Sequence, residues 1–185
     1  MTLPPLPPDI LRPLYCGQCG GEIGLRFVAV EERQRLVCQR CELIHYLNPR
    51  IVTNVLPERG GRVLLLRRAI EPSLGKWAFP GGFLELGESA EEGAEREARE
   101  EVGLQVKAGD LLGVYTRVDH GIVVVVFRSR RVSGRPLAGP EALDTAWFGP
   151  GQIPWADLAF ETTEAALRDW VRASARPGPP GRPAR

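Results

Sequence analysis

Three glutamates, Glu97, Glu100 and Glu101, recur at spacings of three and four inside a run with helical periodicity. At about 100° per residue they fall within one arc of about 100°, so a helix presents all three carboxylates on one face. Like charges at these spacings repel, and a merely solvated helix gains nothing from the cluster. A bound divalent cation reverses the sign of that interaction. On the carboxylates alone, a charged surface helix fits the spacing as well as a metal site does. One turn earlier on the same face stand Ala90 and Gly93, small residues that leave room for a ligand or an incoming loop. Gly93 costs about 1 kcal/mol relative to alanine in a helix interior, which points to a steric reason for it.

A second set of chemically capable residues lies near the start. Cys16-Gly-Gln-Cys19 and Cys38-Gln-Arg-Cys41 are two Cys-x-x-Cys pairs separated by 18 residues. That spacing fits a tetrahedral zinc site, in which each pair folds as a tight knuckle supplying two thiolates. Gly17, Gly20 and Gly21 let the backbone turn closely around the first pair. Four thiolates leave no coordination position for water, so the expected Zn²⁺ is structural. Glu31 and Glu32 stand beside Arg33 and Arg35, with no aromatic series between basic residues, which disfavours nucleic acid as the partner of this module.

The elements that must carry these residues are partly visible. Ser89 and Glu92 form a capping box for a helix over Ala90–Val102, and Gly103 is placed to end it. On that helix Glu92/Arg96 and Glu95/Arg99 read as solvent-side pairs, while Ala94, Ala98 and Val102 make a small apolar stripe for packing. Strand-like runs span Ile51–Leu56 and Arg62–Arg67, and the Pro57–Gly61 stretch between them reads as the turn of a hairpin. Further β-branched runs cover Leu111–Arg117, Ile122–Arg128 and Thr145–Phe148, and a helical stretch surrounds Thr162–Val171. Val123–Val126 lacks alternation, as in a strand covered on both faces. Leu25–Val30 and Arg35–Val37 supply strands to the cysteine module. Strands mixed with two separated helices predict a layered α/β (α+β) domain at 49–173, preceded by a small β zinc ribbon at 15–48. The proline-rich 1–14 and 174–185 predict a disordered lead-in and tail.

Composition narrows the partners. The 24 Lys and Arg nearly balance the 23 Asp and Glu, so no bulk attraction to nucleic acid or to an anionic membrane is expected. No apolar run approaches the ~18 residues of a membrane span. The first residues are broken by prolines, unlike a signal peptide, and a cytoplasmic location is expected.

The segment Gly82–Leu104 resembles the Nudix box, G-x₅-E-x₇-R-E-U-x-E-E-x-G-U with U a small apolar residue. Gly82, Glu88, Arg96, Glu97, Ala98, Glu100, Glu101, Gly103 and Leu104 match every defined position. The resemblance to Nudix hydrolases covers roughly 50–172, and specifically to those with an N-terminal zinc ribbon. Further similarities are Cys41–Pro49, Arg67–Pro72, Trp77–Gly82 and Ile153–Phe160, which together look most like the ADP-ribose/FAD pyrophosphatase branch.

The resemblance implies an α/β/α sandwich with a mixed sheet, in which Glu97, Glu100 and Glu101 ligate Mg²⁺ or Mn²⁺, with the Gly82 carbonyl and Glu88 as weaker candidates. Arg96 then orients a ligating carboxylate. Hard cations prefer oxygen ligands, polarise a phosphoryl group and acidify a bound water. The general base stays open among Glu101, Glu141 and Glu161. Arg67 and Arg68 could contact phosphate, and Trp77, Phe79 and Phe160 could stack on an adenine or flavin ring. The Ser-Gln-Pro-Trp-Pro-Phe-Pro array of NADH pyrophosphatases is absent, and Gly121-Ile122 replaces a polar pair common in the FAD/ADP-ribose branch. The implied activity is hydrolysis of the pyrophosphate bond of ADP-ribose or FAD, releasing AMP. The alternatives are an NADH pyrophosphatase and a non-catalytic nucleotide sensor. Retention of all three glutamates favours an enzyme acting on a small nucleotide, with a homodimer also compatible with the family.

Overall fold

The computed structural model describes residues 12–175. Most of the expected lead-in (1–11) and tail (176–185) lies outside the described residues. The chain divides into two compact units. One holds the described residues up to Pro49 together with Arg117–Ile122, and the other holds Arg50–Thr116 and the described residues from Val123 on.

In the first unit, β1 (Ile23–Val28), β2 (Arg33–Cys38) and β3 (Ile44–His45) form an antiparallel meander in which Ile23 pairs with Cys38 and Leu36 with His45. β1 ends two residues before the expected Val30 because Ala29–Glu31 close as a 3-10 turn, with Glu32 left-handed at φ 51°. Leu36, Val37, Cys38 and Cys16 are buried, a small interior that depends on its cysteines.

Apart from the end residues Arg117 and Ile122, the second unit contains β4 (Arg50–Leu56), β5 (Glu58–Arg59), β6 (Arg62–Arg68), β7 (Trp77–Ala78), β8 (Gly81–Phe83), α1 (Ala90–Val102), β9 (Gln105–Arg117), β10 (Ile122–Ser133), β11 (Ala142–Phe148) and α2 (Glu161–Ala175). Two sheets result, one in the order β8-β4-β10-β9 and one in which β6 lies between β11 and β5 and also pairs with β7. The β4–β6 hairpin expected from sequence does not form, because these strands belong to different sheets. Gly60 and Gly61, both at positive φ (57° and 70°), make a tighter turn that pairs Arg59 with Arg62, so the hairpin is β5–β6.

The apolar core joins the layers. Val55, Leu64, Leu66, Ala94, Ala98, Val102, Leu104, Val106, Phe127 and Ala142 form one buried cluster, so the predicted helix stripe faces inward. Each fully buried Leu or Val in it contributes about 1.5–3 kcal/mol. Val124 and Val126 are buried and Val123 and Val125 half-buried, as the unalternating run predicts. α2 is fastened by its buried Trp170, whose Nε1 donates to Glu58 (3.0 Å), and by Tyr115, whose hydroxyl donates to Asp169 (2.9 Å). Glu58 also takes two hydrogen bonds from Arg128.

Helix α1 begins at the Ser89 cap, with both capping-box bonds present, and ends at Gly103 in the left-handed region. The steric reason for Gly93 is now visible. A Cβ there would lie 2.8 Å from Glu88 Oε1 and 2.8 Å from Thr53 Cγ2, so glycine lets β4 and the loop before the helix close onto it. Thr53 Oγ1 also donates to the Ala90 carbonyl. Gly93→Ala is expected to lower stability by about 1–3 kcal/mol despite the better helix propensity of alanine. The midpoint of chemical denaturation measures this, and an increase would show that the strand and loop yield freely.

Candidate active site

The carboxylate face of α1 is assembled around Arg96. Its Nε and Nη2 clamp the two oxygens of Glu88 at 3.0 and 2.7 Å, Nη2 also donates to the Phe83 carbonyl, and Nη1 reaches Glu97 (2.7 Å) and Glu100 (3.2 Å). The solvent-side pair expected between Arg96 and Glu92 is therefore absent. Glu92 closes the capping box instead, and Arg96 turns inward toward the larger negative charge. Glu95 likewise does not pair with Arg99; it accepts from Lys107 Nζ (2.7 Å) and the Ala108 N–H (3.0 Å). Arg96 holds the Glu88 carboxyl down to about 2, aided by the Glu85 N–H. Glu88 is thus occupied as the anchor of the loop before the helix.

The three remaining glutamates differ in burial. Glu101 is 8% exposed and accepts the Gly81 N–H at 2.8 Å. Burial pushes it up to about 8, with Glu97 and Glu141 acting in the same direction and the Gly81 N–H and Arg68 opposing. Glu97 lies directly over Gly82, where a Cβ would come within 2.4 Å of its Oε1, so only glycine permits the approach. Burial raises Glu97 against the pull of Arg96. Glu100 is the exposed member, held by Arg96 alone. Glu97 and Glu100 are drawn to Arg96 and Glu101 to Gly81, so the carboxylates share a face without converging on one point. The donor set still fits a hard divalent cation: all the ligand atoms are oxygens, and the negative charge around buried Glu101 and half-buried Glu97 exceeds what Arg96 and Arg68 offset.

Arg67 and Arg68 are separated by strand alternation. Arg67 is exposed and donates to the Gly75 carbonyl. Arg68 is half-buried within the field of Glu101 and Glu141, donates to the Pro72 carbonyl and lies 5.1 Å over the Phe160 ring. Trp77 packs edge-on against Phe148 at 5.1 Å, and Phe79, only 4% exposed, offers almost no ring surface to a ligand. Sequence reading gave no hint of how Glu141 is positioned. The Leu137 and Gly139 N–H groups cap the carbonyls of Val102 and Glu101 at the end of α1, and a Cβ on Gly139 would strike the Glu100 carbonyl at 2.6 Å. This brings Glu141 within electrostatic reach of Glu97 and Glu101. Glu161 is exposed at the start of α2. Two open cavities, of about 350 and 240 Å³, lie along β9 and β10, the smaller also bordered by Glu58, and neither is lined by these glutamates.

In the other unit the four cysteines bring their sulfurs within 4.8 Å of one another. Cys16 and Cys41 Sγ are 3.7 Å apart, and Cys19 and Cys38 Sγ 3.5 Å. A tetrahedral site with Zn–S bonds of about 2.3 Å requires sulfurs about 3.8 Å apart, so the cluster fits the ion. Backbone N–H groups of Cys41 and Arg40 point at the Cys38 sulfur and bring its thiol down to about 6. Gly21 makes room for the cluster, since a Cβ there would lie 2.7 Å from Arg40 Cβ and 3.0 Å from Cys38 Sγ.

Carboxylates organised by Arg96 over a Gly-Gly strand, joined to a four-cysteine ribbon, define a class that comparison identifies. The NUDIX domain model matches residues 47–171 and the Nudix N-terminal model, a zinc ribbon, matches residues 14–47. The chain belongs to the Nudix hydrolase family. It is 35% identical over 131 residues to an ADP-ribose pyrophosphatase of Methanocaldococcus jannaschii, covering 69% of this chain and 76% of that one. It is 32% identical over 145 residues to the NAD-capped RNA hydrolase NudC of Pseudomonas aeruginosa, covering 76% of this chain but only 49% of that one. A crystal structure of a NUDIX hydrolase from Nitrosomonas europaea superposes with a TM-score of 0.80 at 37% identity, over 85% of this chain and 90% of that one. The layered α/β fold with its N-terminal ribbon is therefore that of the family. No helix among the described residues is long and apolar enough to cross a membrane.

Proposed function

We propose that this enzyme hydrolyses the pyrophosphate bond of ADP-ribose or FAD, releasing AMP, at the site formed by Glu97, Glu100, Glu101 and Arg96. The observation that carries the reading is the pairing of Arg96 with Glu88, Glu97 and Glu100, which fixes a carboxylate face beside Gly81 and Gly82. Glu97, Glu100, Glu101 and the Gly82 carbonyl would hold Mg²⁺ or Mn²⁺, which supplies Lewis-acid polarisation of the phosphoryl group and acidification of a water. Arg96 keeps two of these carboxylates oriented, and Arg68, on the same side as Glu101, offers a guanidinium to phosphate oxygens. Glu141 is the general base we favour, because its loop is fixed to the end of α1 and its charge acts on both Glu97 and Glu101. Glu161 has no such link. Trp77 and Phe160 keep partly open rings that could border the nucleotide. We assign the protein to the cytoplasm, where its nucleotide substrates occur.

Two facts support the substrate. The ADP-ribose pyrophosphatase relative is matched over three quarters of its length, whereas the chain spans about half of the NAD-capped RNA hydrolases it resembles. The proline-rich array of NADH pyrophosphatases is also absent from this sequence. Side-by-side kcat/KM values for ADP-ribose, FAD, NADH and dGTP are expected to rank ADP-ribose or FAD first. A tenfold lead for NADH or dGTP would overturn the substrate and leave the hydrolase class intact. No turnover of any of the four would favour a nucleotide sensor.

A further inference from the structure

Asn54 is 6% exposed, and its side-chain Nδ2 has no hydrogen-bond partner among the described residues. Buried donors are rarely left unpaired, and those that are stand out as candidates for a ligand. The strand register sets its direction. Thr53 pairs with Gly82 and Asn54 with Gly81. Thr53 turns its side chain to α1, bonding the Ala90 carbonyl, so Asn54 on the same strand turns to the opposite face. There its carboxamide lies over the Gly81 backbone: a Cβ on Gly81 would fall 2.3 Å from both Asn54 Cγ and Oδ1. The N–H of that same Gly81 is the donor to Glu101. One glycine is thus flanked by the most buried carboxylate of the site and by an amide with a free N–H, and nothing in the reading of Glu97, Glu100 and Glu101 uses the amide.

We propose that Asn54 is a substrate-binding residue whose Nδ2 donates to a non-bridging phosphate oxygen of the bound diphosphate. This rests on the diphosphatase reading of the site. The buried unpaired atom is a donor, so the ligand atom it meets is an acceptor. Flanking Gly81 from the face away from α1, a neutral donor attracts a phosphate oxygen without competing with Arg68 or Arg96 for their partners. Gly81 matters too, because a side chain at that position would displace the amide.

Two measurements test the proposal on the full-length, zinc-loaded chain: binding of α,β-methylene-ADP in Mg²⁺ and steady-state hydrolysis of ADP-ribose. Asn54→Leu, close in shape but without the donor, is expected to weaken analogue binding about tenfold and raise KM with kcat little changed, while Tm stays level or rises. Asn54→Ala gives the same affinity loss should leucine not be accommodated. Wild-type affinity in either folded variant overturns the proposal, as does a fall in Tm with unchanged affinity, which marks a purely structural amide. Wild-type chain that does not bind the analogue overturns it too. Wild-type chain that binds the analogue, with affinity lost in the variants but no cleavage of ADP-ribose, rejects the substrate while supporting the role of Asn54.

Discussion

Glu101→Gln is expected to cut kcat/KM for ADP-ribose by more than about 100-fold while the protein stays folded and gains thermal stability. Losing an outer residue that merely orients a metal ligand already costs about 10–100-fold, and loss of an anionic ligand itself costs more. The fold persists because glutamine retains an oxygen to accept the Gly81 N–H, the hydrogen bond that the Glu101 carboxylate makes among the described residues. Stability rises because a carboxylate 8% exposed, facing Glu97 and Glu141, is replaced by a neutral group of the same shape. A gain of about 1 kcal/mol would raise Tm by about 2–4 °C in a chain of this size. Glu100→Gln isolates the chemical part of the argument. Its side chain is 55% exposed, so activity should fall as steeply with Tm nearly unchanged. Wild-type turnover in both variants would show that this helix face holds no catalytic metal.

How much of this site the sequence reveals depends on whether the relevant interactions are local. Helix α1 is legible to the residue, because a capping box and a terminal glycine act within a few positions of each other. Arg96 is legible in identity but not in partners. Spacing on a helix offers it Glu92, while the fold offers Glu88 and Glu97 from the buried side, and the stronger field wins. The β4–β6 hairpin fails for a related reason. Two strands close in sequence look paired until Gly60 and Gly61 turn the chain early and send them to different sheets. Phe79 shows the limit for aromatics, since periodicity does not separate a ring that packs from a ring that stacks on a ligand. Asn54 carries no sequence signal at all. Its interest arises only from pairing across strands with Gly81 and from the partner it lacks.

Stripping the metal from the ribbon is expected to unfold that unit and leave the other standing. The ribbon has three short strands and a buried interior of a few side chains, two of them cysteines, which is too little apolar burial to hold so small a unit together. Zinc binding supplies about 10–16 kcal/mol in comparable small modules, so metal and fold are lost together. The second unit has its own cluster from Val55 to Ala142 and draws nothing from the cysteines. Cys38→Ser is the sharpest single change. It removes a fully buried sulfur that accepts from the Arg40 and Cys41 N–H groups, and it leaves three ligands where the closed site requires four. Protein purified without chelator should carry one equivalent of Zn²⁺, and Cys38→Ser much less. Amide hydrogen exchange should show protection lost over Ile23–His45 and retained through α1 and β6. Less than half an equivalent of zinc in wild-type protein would refute the site. Loss of protection across both units would instead show that the ribbon is needed for the whole chain to fold.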